Sequence, residues 1–183
     1  MGTIVDEGEK KVFHLAPAGT IRAACFNYWD LGYQKTTFQG NEKVMPKILI
    51  GWEIDERIPD GEYAGKRFAV YKKYTKTLYE KGNLCKDLVS WRGKPFTDQE
   101  KKGFDLDNII GASCLLTIVH NQIGDKTYVN IGAITGLMKG MDKLIVETER
   151  TTPDWIKKIQ DKAVTKVDDT PHEAAGDEEE VPF

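Results

Sequence analysis

Residues 83–93 read NLCKDLVSWRG, and their spacing decides how the rest of the chain is read. Leu84, Leu88 and Trp91 fall at i, i+4 and i+7, which is one stripe of a helix of about three turns. Asn83 is placed to cap its start and Gly93 to close it. On both sides of this stretch the apolar period is two. Upstream, Ile21, Ala23 and Cys25 alternate with Arg22, Ala24 and Phe26. Ile48, Ile50, Trp52 and Ile54 share one strand face, with Pro46 marking an edge or a strand start. A third strand has Phe68, Val70, Lys72 and Tyr74 on one face and Arg67, Ala69, Tyr71 and Lys73 on the other. Downstream, ASCLLTIVHNQ and YVNIGAITGL read as two more strands, the second with Gly132 where a bulge fits. The order is β-β-β-α-β-β.

Smaller signals punctuate that order. Pro59-Asp60-Gly61 marks a turn before the third strand. Thr97 with Glu100 three residues on is a capping box, and Pro153 opens a short helix, DWIKKIQDK. Five strands with one helix between the third and fourth is the element order of the OB-fold, a small barrel that binds oligonucleotides. Other mixed α/β domains fit the same order, but the expected fold is mainly β: a five-stranded OB-fold-like barrel with a helix between strands 3 and 4. A disordered acidic C-terminal tail is expected to follow it. The expected divisions are an N-terminal arm at 1–15, an OB-fold single-stranded DNA-binding domain at 16–166, and an acidic protein-interaction tail at 167–183.

Charge is unevenly spread. Residues 168–183 hold seven acids and no Lys or Arg; taking those from 29 leaves 22 acids against 26 bases in residues 1–167. The body is thus +4 and the tail −7, which the whole-chain value of −3 hides. No apolar run approaches the roughly 20 residues of a membrane span, and the N-terminus lacks the apolar stretch of a signal peptide. A cytoplasmic protein is expected. Cys25, Cys85 and Cys114 are odd in number and widely spaced, so neither a disulfide framework nor a zinc site is expected.

Catalysis finds little support. His14, His120 and His172 are scattered, and no HExxH, GxSxG, P-loop or GxGxxG pattern occurs. No catalytic residue, metal site or cofactor is expected. The positive signal is aromatic rings mixed with Lys and Arg, which single-stranded nucleic acid uses for base stacking and phosphate contact. Tyr28, Trp29, Tyr33, Lys35, Phe38, Lys43 and Lys47 gather around the first loop. Arg67, Tyr71, Lys72, Lys73 and Tyr74 lie on the third strand. Core packing is the competing reading for these rings; Trp52, Phe68 and Trp91 are read as core.

The last residues read Asp177-Glu178-Glu179-Glu180-Val181-Pro182-Phe183. An acidic segment closed by Pro-Phe, together with the run from DLGYQKTTFQG to TYVNIGAITGL, resembles bacteriophage single-stranded DNA-binding proteins. That resemblance implies a barrel that coats single-stranded DNA in replication or recombination, without sequence preference. It also implies a tip that recruits proteins such as polymerase, primase or helicase. A ring next to acids suits a partner pocket with an apolar floor and a cationic rim. The alternative is an adaptor that binds other proteins without touching DNA. The helix after Pro153 and the edge strands are candidate homodimer contacts.

Overall fold

The structure, a computed structural model, describes residues 13–165. Its order is β1 (Gly19–Phe38), β2 (Asn41–Arg57), β3 (Arg67–Thr75), α1 (Asn83–Arg92), α2 (Asp98–Lys102), a 3-10 turn (Leu106–Ile109), β4 (Ser113–Ile123), β5 (Lys126–Thr135) and α3 (Asp154–Asp161). All strand pairs are antiparallel, in the spatial order β3-β2-β1-β4-β5.

The stretch around the first loop, open in the sequence to a loop or a hairpin tip, is the end of a long β1–β2 hairpin. The turn is only Gln39-Gly40, both at positive φ (48° and 78°). That geometry matches the right-handed twist of the flanking strands, and glycine supplies half of it at no steric cost. The hairpin outruns its neighbours. Strand β3 pairs no further than Thr75 opposite Lys47, and β4 pairs β1 only over Gly19–Ala24. Pro46 sits just past the end of β3, where its missing N–H costs no ladder bond to that strand, and its carbonyl accepts from Lys76 N at 2.8 Å.

One face of the sheet carries the main core. Ala23, Cys25, Ile48, Ile50, Trp52, Ile54, Phe68, Val70 and Tyr74 meet Leu84, Cys85, Leu88 and Trp91 of α1. Trp52 and Trp91 lie 6.0 Å apart, and Trp91 Nε1 donates to Ser113 O at 2.9 Å. Trp91 therefore spans from the sheet's first half to its second. Helix α1 starts at Asn83 itself, so its N-cap is Gly82 rather than Asn83 and no side chain caps it, and it closes at Gly93. The Thr97–Glu100 capping box is formed. Gly132 is the extra residue between Ala133, opposite Thr117, and Ile131, opposite Ile118.

The expected barrel is corrected. The sheet is open: β3 and β5 are its two edges, and no ladder joins them among the described residues. Helix α1 packs against both edge strands, and Ser90 Oγ donates to Ile134 O of β5 at 2.6 Å. The helix thus packs on both edges and caps an edge carbonyl, while β3 and β5 also approach each other directly without pairing. Closure by hydrogen bonds is not what holds the two halves together. Element order reports neighbours along the chain, whereas closure depends on how far the end strands reach. The proposed OB-fold class fails on that difference.

The second face is covered by the C-terminal part of the body. Phe26, Trp29, Leu31 and Leu49 are buried there with Ile156 of α3, and Tyr71, Val146 and Ile159 pack around them. Residues 136–153, between β5 and α3, form no helix or strand. They make a strap. No helix of the described residues is long and apolar enough to cross a membrane. The N-terminal arm lies mostly, and the acidic tail entirely, outside the described residues.

Candidate interaction surface

The side chains expected to meet DNA are dispersed over three settings. Trp29 is buried on the second face, 5.9 Å from Phe26 and 6.0 Å from Tyr71. Gly51 makes this possible: a Cβ there would lie 3.0 Å from the Phe26 ring and 3.1 Å from Trp29. Tyr74 is buried in the main core, its hydroxyl donating to Asp87 Oδ2 at 2.7 Å. Lys72 pairs with the same carboxylate at 2.8 Å and lies over the Tyr74 ring. Arg67, 10% exposed, is committed to Glu53, Glu147 and the Ile145 carbonyl.

The hairpin group is looser. Tyr28 donates to Asp107 Oδ1 at 2.9 Å, and that bond pushes its own pKa up. The carbonyl of Tyr33 accepts from Val164 N at 2.8 Å, so the end of the described chain is stitched to the hairpin. Lys35 pairs with Glu42 at 3.5 Å across the ribbon. Lys47 Nζ donates to Thr75 Oγ1 at 2.5 Å. Lys43 and Lys73 are exposed. Phe38 lies at the ribbon's end, and Asp177–Phe183 fall outside the described residues.

A polar clasp, absent from the sequence reading, fixes the strap. Glu53 is fully buried. Its Oε1 accepts from Arg67 Nη1 at 2.6 Å and from Glu147 N at 2.8 Å, and its Oε2 accepts from Thr148 N at 2.8 Å. Burial pulls its pKa upward, but these donors outweigh it and hold the carboxyl below the usual glutamate value. Arg57 adds a two-pronged pair to Glu147, at 3.0 and 2.8 Å, which lowers the Glu147 pKa. Leu144 N donates to Ser113 Oγ, Arg22 to Asp142 O, and Arg150 Nε to the buried Asn27 Oδ1.

Beyond the strap, α3 presents Trp155, 43% exposed, edge-on to Tyr71 at 4.9 Å. Burial raises the Tyr71 pKa. Gln34 Nε2 donates to Ile159 O and Gln160 Nε2 to Asp30 O, anchoring the helix to β1. All three cysteines are free and buried, and burial pushes the Cys25 thiol up to about 12 and raises Cys114 and Cys85. Among the described residues no group of His, Cys, Asp and Glu is arranged to hold a metal ion.

No protein-family model matches the chain, and no curated protein matches it. The resemblance to bacteriophage single-stranded DNA-binding proteins is corrected by the open sheet. The coating function rested on a closed barrel with an aromatic groove. Instead β3 and β5 remain unpaired edges among the described residues, and Trp29 and Tyr74 pack internally while Tyr71 is partly covered by Trp155.

Proposed function

We propose that the protein is a non-catalytic adaptor, a folded body that carries residues 177–183 as a docking segment for another protein. The observation that supports this reading is the segregation of charge. Seven acids and no bases lie in residues 168–183, against a surplus of bases before them. The acidic run is followed at once by Val181, Pro182 and Phe183. Acids speed encounter with a cationic partner surface, Phe183 offers a ring for an apolar pocket, and Pro182 lowers the ordering cost. The described residues end beside the hairpin, where Val164 bridges Tyr33. Three free thiols accord with a reducing cytoplasm.

The test uses immobilised full-length protein. Proteins retained from a lysate should be lost with Phe183→Ala and displaced by a free peptide of residues 177–183. Retention that is indifferent to both would end the adaptor reading.

A further inference from the structure

Helix α3 and strand β3 together build a second surface, separate from residues 177–183. Trp155 is the partly exposed member of an aromatic cluster whose other rings lie deeper. Successive helix positions turn by about 100°. Lys158 and Lys162, at i+3 and i+7, therefore flank Trp155 on one side of α3. Asp154 and Asp161 lie further round, and Asp154 is engaged by Lys157 at 3.8 Å. On the sheet, Lys73 lies two residues beyond Tyr71 on the same face, so it borders the same ring pair. Lys73, Lys158 and Lys162 are exposed and make no ion pair among the described residues. Exposed Ala69 lies on the other side of Tyr71 along that face and leaves the approach low.

From this we infer that the α3–β3 patch docks an acidic peptide segment of a partner protein, with one apolar side chain seated against Trp155 and carboxylates facing the three lysines. Charge complementarity selects the partner's sign. The single accessible ring selects a peptide over a nucleic acid strand. Successive bases need successive exposed ring faces, and Tyr71 meets Trp155 edge-on and is itself partly buried. An apolar anchor with acidic neighbours needs only one ring and a cationic rim.

The experiment uses the full chain and a fluorescein-labelled Glu-Glu-Glu-Leu-Glu-Glu peptide, with a Gln-for-Glu twin as control. Polarisation should report binding of the acidic peptide, weakening with salt, and little binding of the twin. The exposed charge reversals Lys73→Glu and Lys158→Glu should each weaken it roughly tenfold, with far-ultraviolet circular dichroism unchanged. Equal binding of the twin, or indifference to both reversals, would overturn the proposal. Binding that emerges only once residues 168–183 are removed would replace it with an intrachain occupant. Competition by oligo(dT) with the same lysine dependence would replace it with nucleic acid.

Discussion

The two faces of the sheet are held in different ways. The face toward α1 is filled almost wholly by apolar side chains, with Trp52 and Ile54 fully buried and Trp91 reaching across. The opposite face combines a small aromatic cluster with a charged clasp, in which Glu53 holds backbone far away in the chain. On the first face, stability is spread over many dispersion contacts. On the second, a few polar bonds decide whether the strap and α3 stay in place. If that contrast is right, damage to the first face should unfold the molecule, and damage to the second should loosen a part of it.

The largest expected effect is Trp52→Ala. It removes a fully buried ring from the centre of the main core and strands Trp91 beside the gap, at a cost of about 3–5 kcal/mol in a denaturant titration. A cost near 1 kcal/mol would mean that the core between the sheet and α1 repacks easily around the lost ring.

Next comes Glu53→Gln. It removes the nearer and more deeply buried of the two carboxylates that Arg67 pairs with, leaving only Glu147 at 3.2 Å, at a cost of about 3 kcal/mol. The pH dependence has a definite sign. The folded pKa of Glu53 is lowered relative to an unfolded value of about 4.3. Its stabilisation is therefore complete above that value and fades as pH falls through the folded pKa. The wild type should lose stability below about pH 4.3, and Glu53→Gln should show a flatter acid limb. Identical acid limbs would show that other carboxylates govern acid unfolding.

This contrast also separates what could be read in the sequence. Period two placed Ile48, Ile50, Trp52 and Ile54 on one face, and the i, i+4, i+7 stripe placed Leu84, Leu88 and Trp91 on the helix that meets them. Local chemistry of this kind survives in a string of letters. The second face did not. A register shift between Cys25 and Asn27 turns Tyr28 toward the main core and Trp29 toward Phe26. Strict alternation would have put Trp29 with Cys25. Glu53 carries no local signal of burial, because its backbone donors, Glu147 and Thr148, are almost a hundred residues away. Trp155 falls in a short helix whose sequence alone does not show which side is covered. Its stripe with Ile156 and Ile159 was the available signal. Barrel closure was misjudged because strand reach is a tertiary quantity.

Ile156→Ala should cost less than either, about 2 kcal/mol, although Ile156 is fully buried. The reason lies in the attachment of α3. An eight-residue helix at the end of an irregular strap can come away as a local unit, and that caps the loss felt by the whole domain. Hydrogen exchange should show α3 amides losing protection while β1 and β2 amides keep theirs. A uniform loss of protection would mean that both faces belong to one cooperative unit.

The smallest expected effect is Trp155→Ala. The ring is nearly half exposed and touches Tyr71 by its edge, so its removal should cost about 0.5–1 kcal/mol. A residue so weakly tied to stability has little folding reason to be tryptophan at a water-facing position. If the loss instead reached that of Ile156→Ala, Trp155 would be a clamp on α3 rather than a contact offered to a partner. Measuring the two variants together therefore decides which part of the second face serves folding and which part is free to bind.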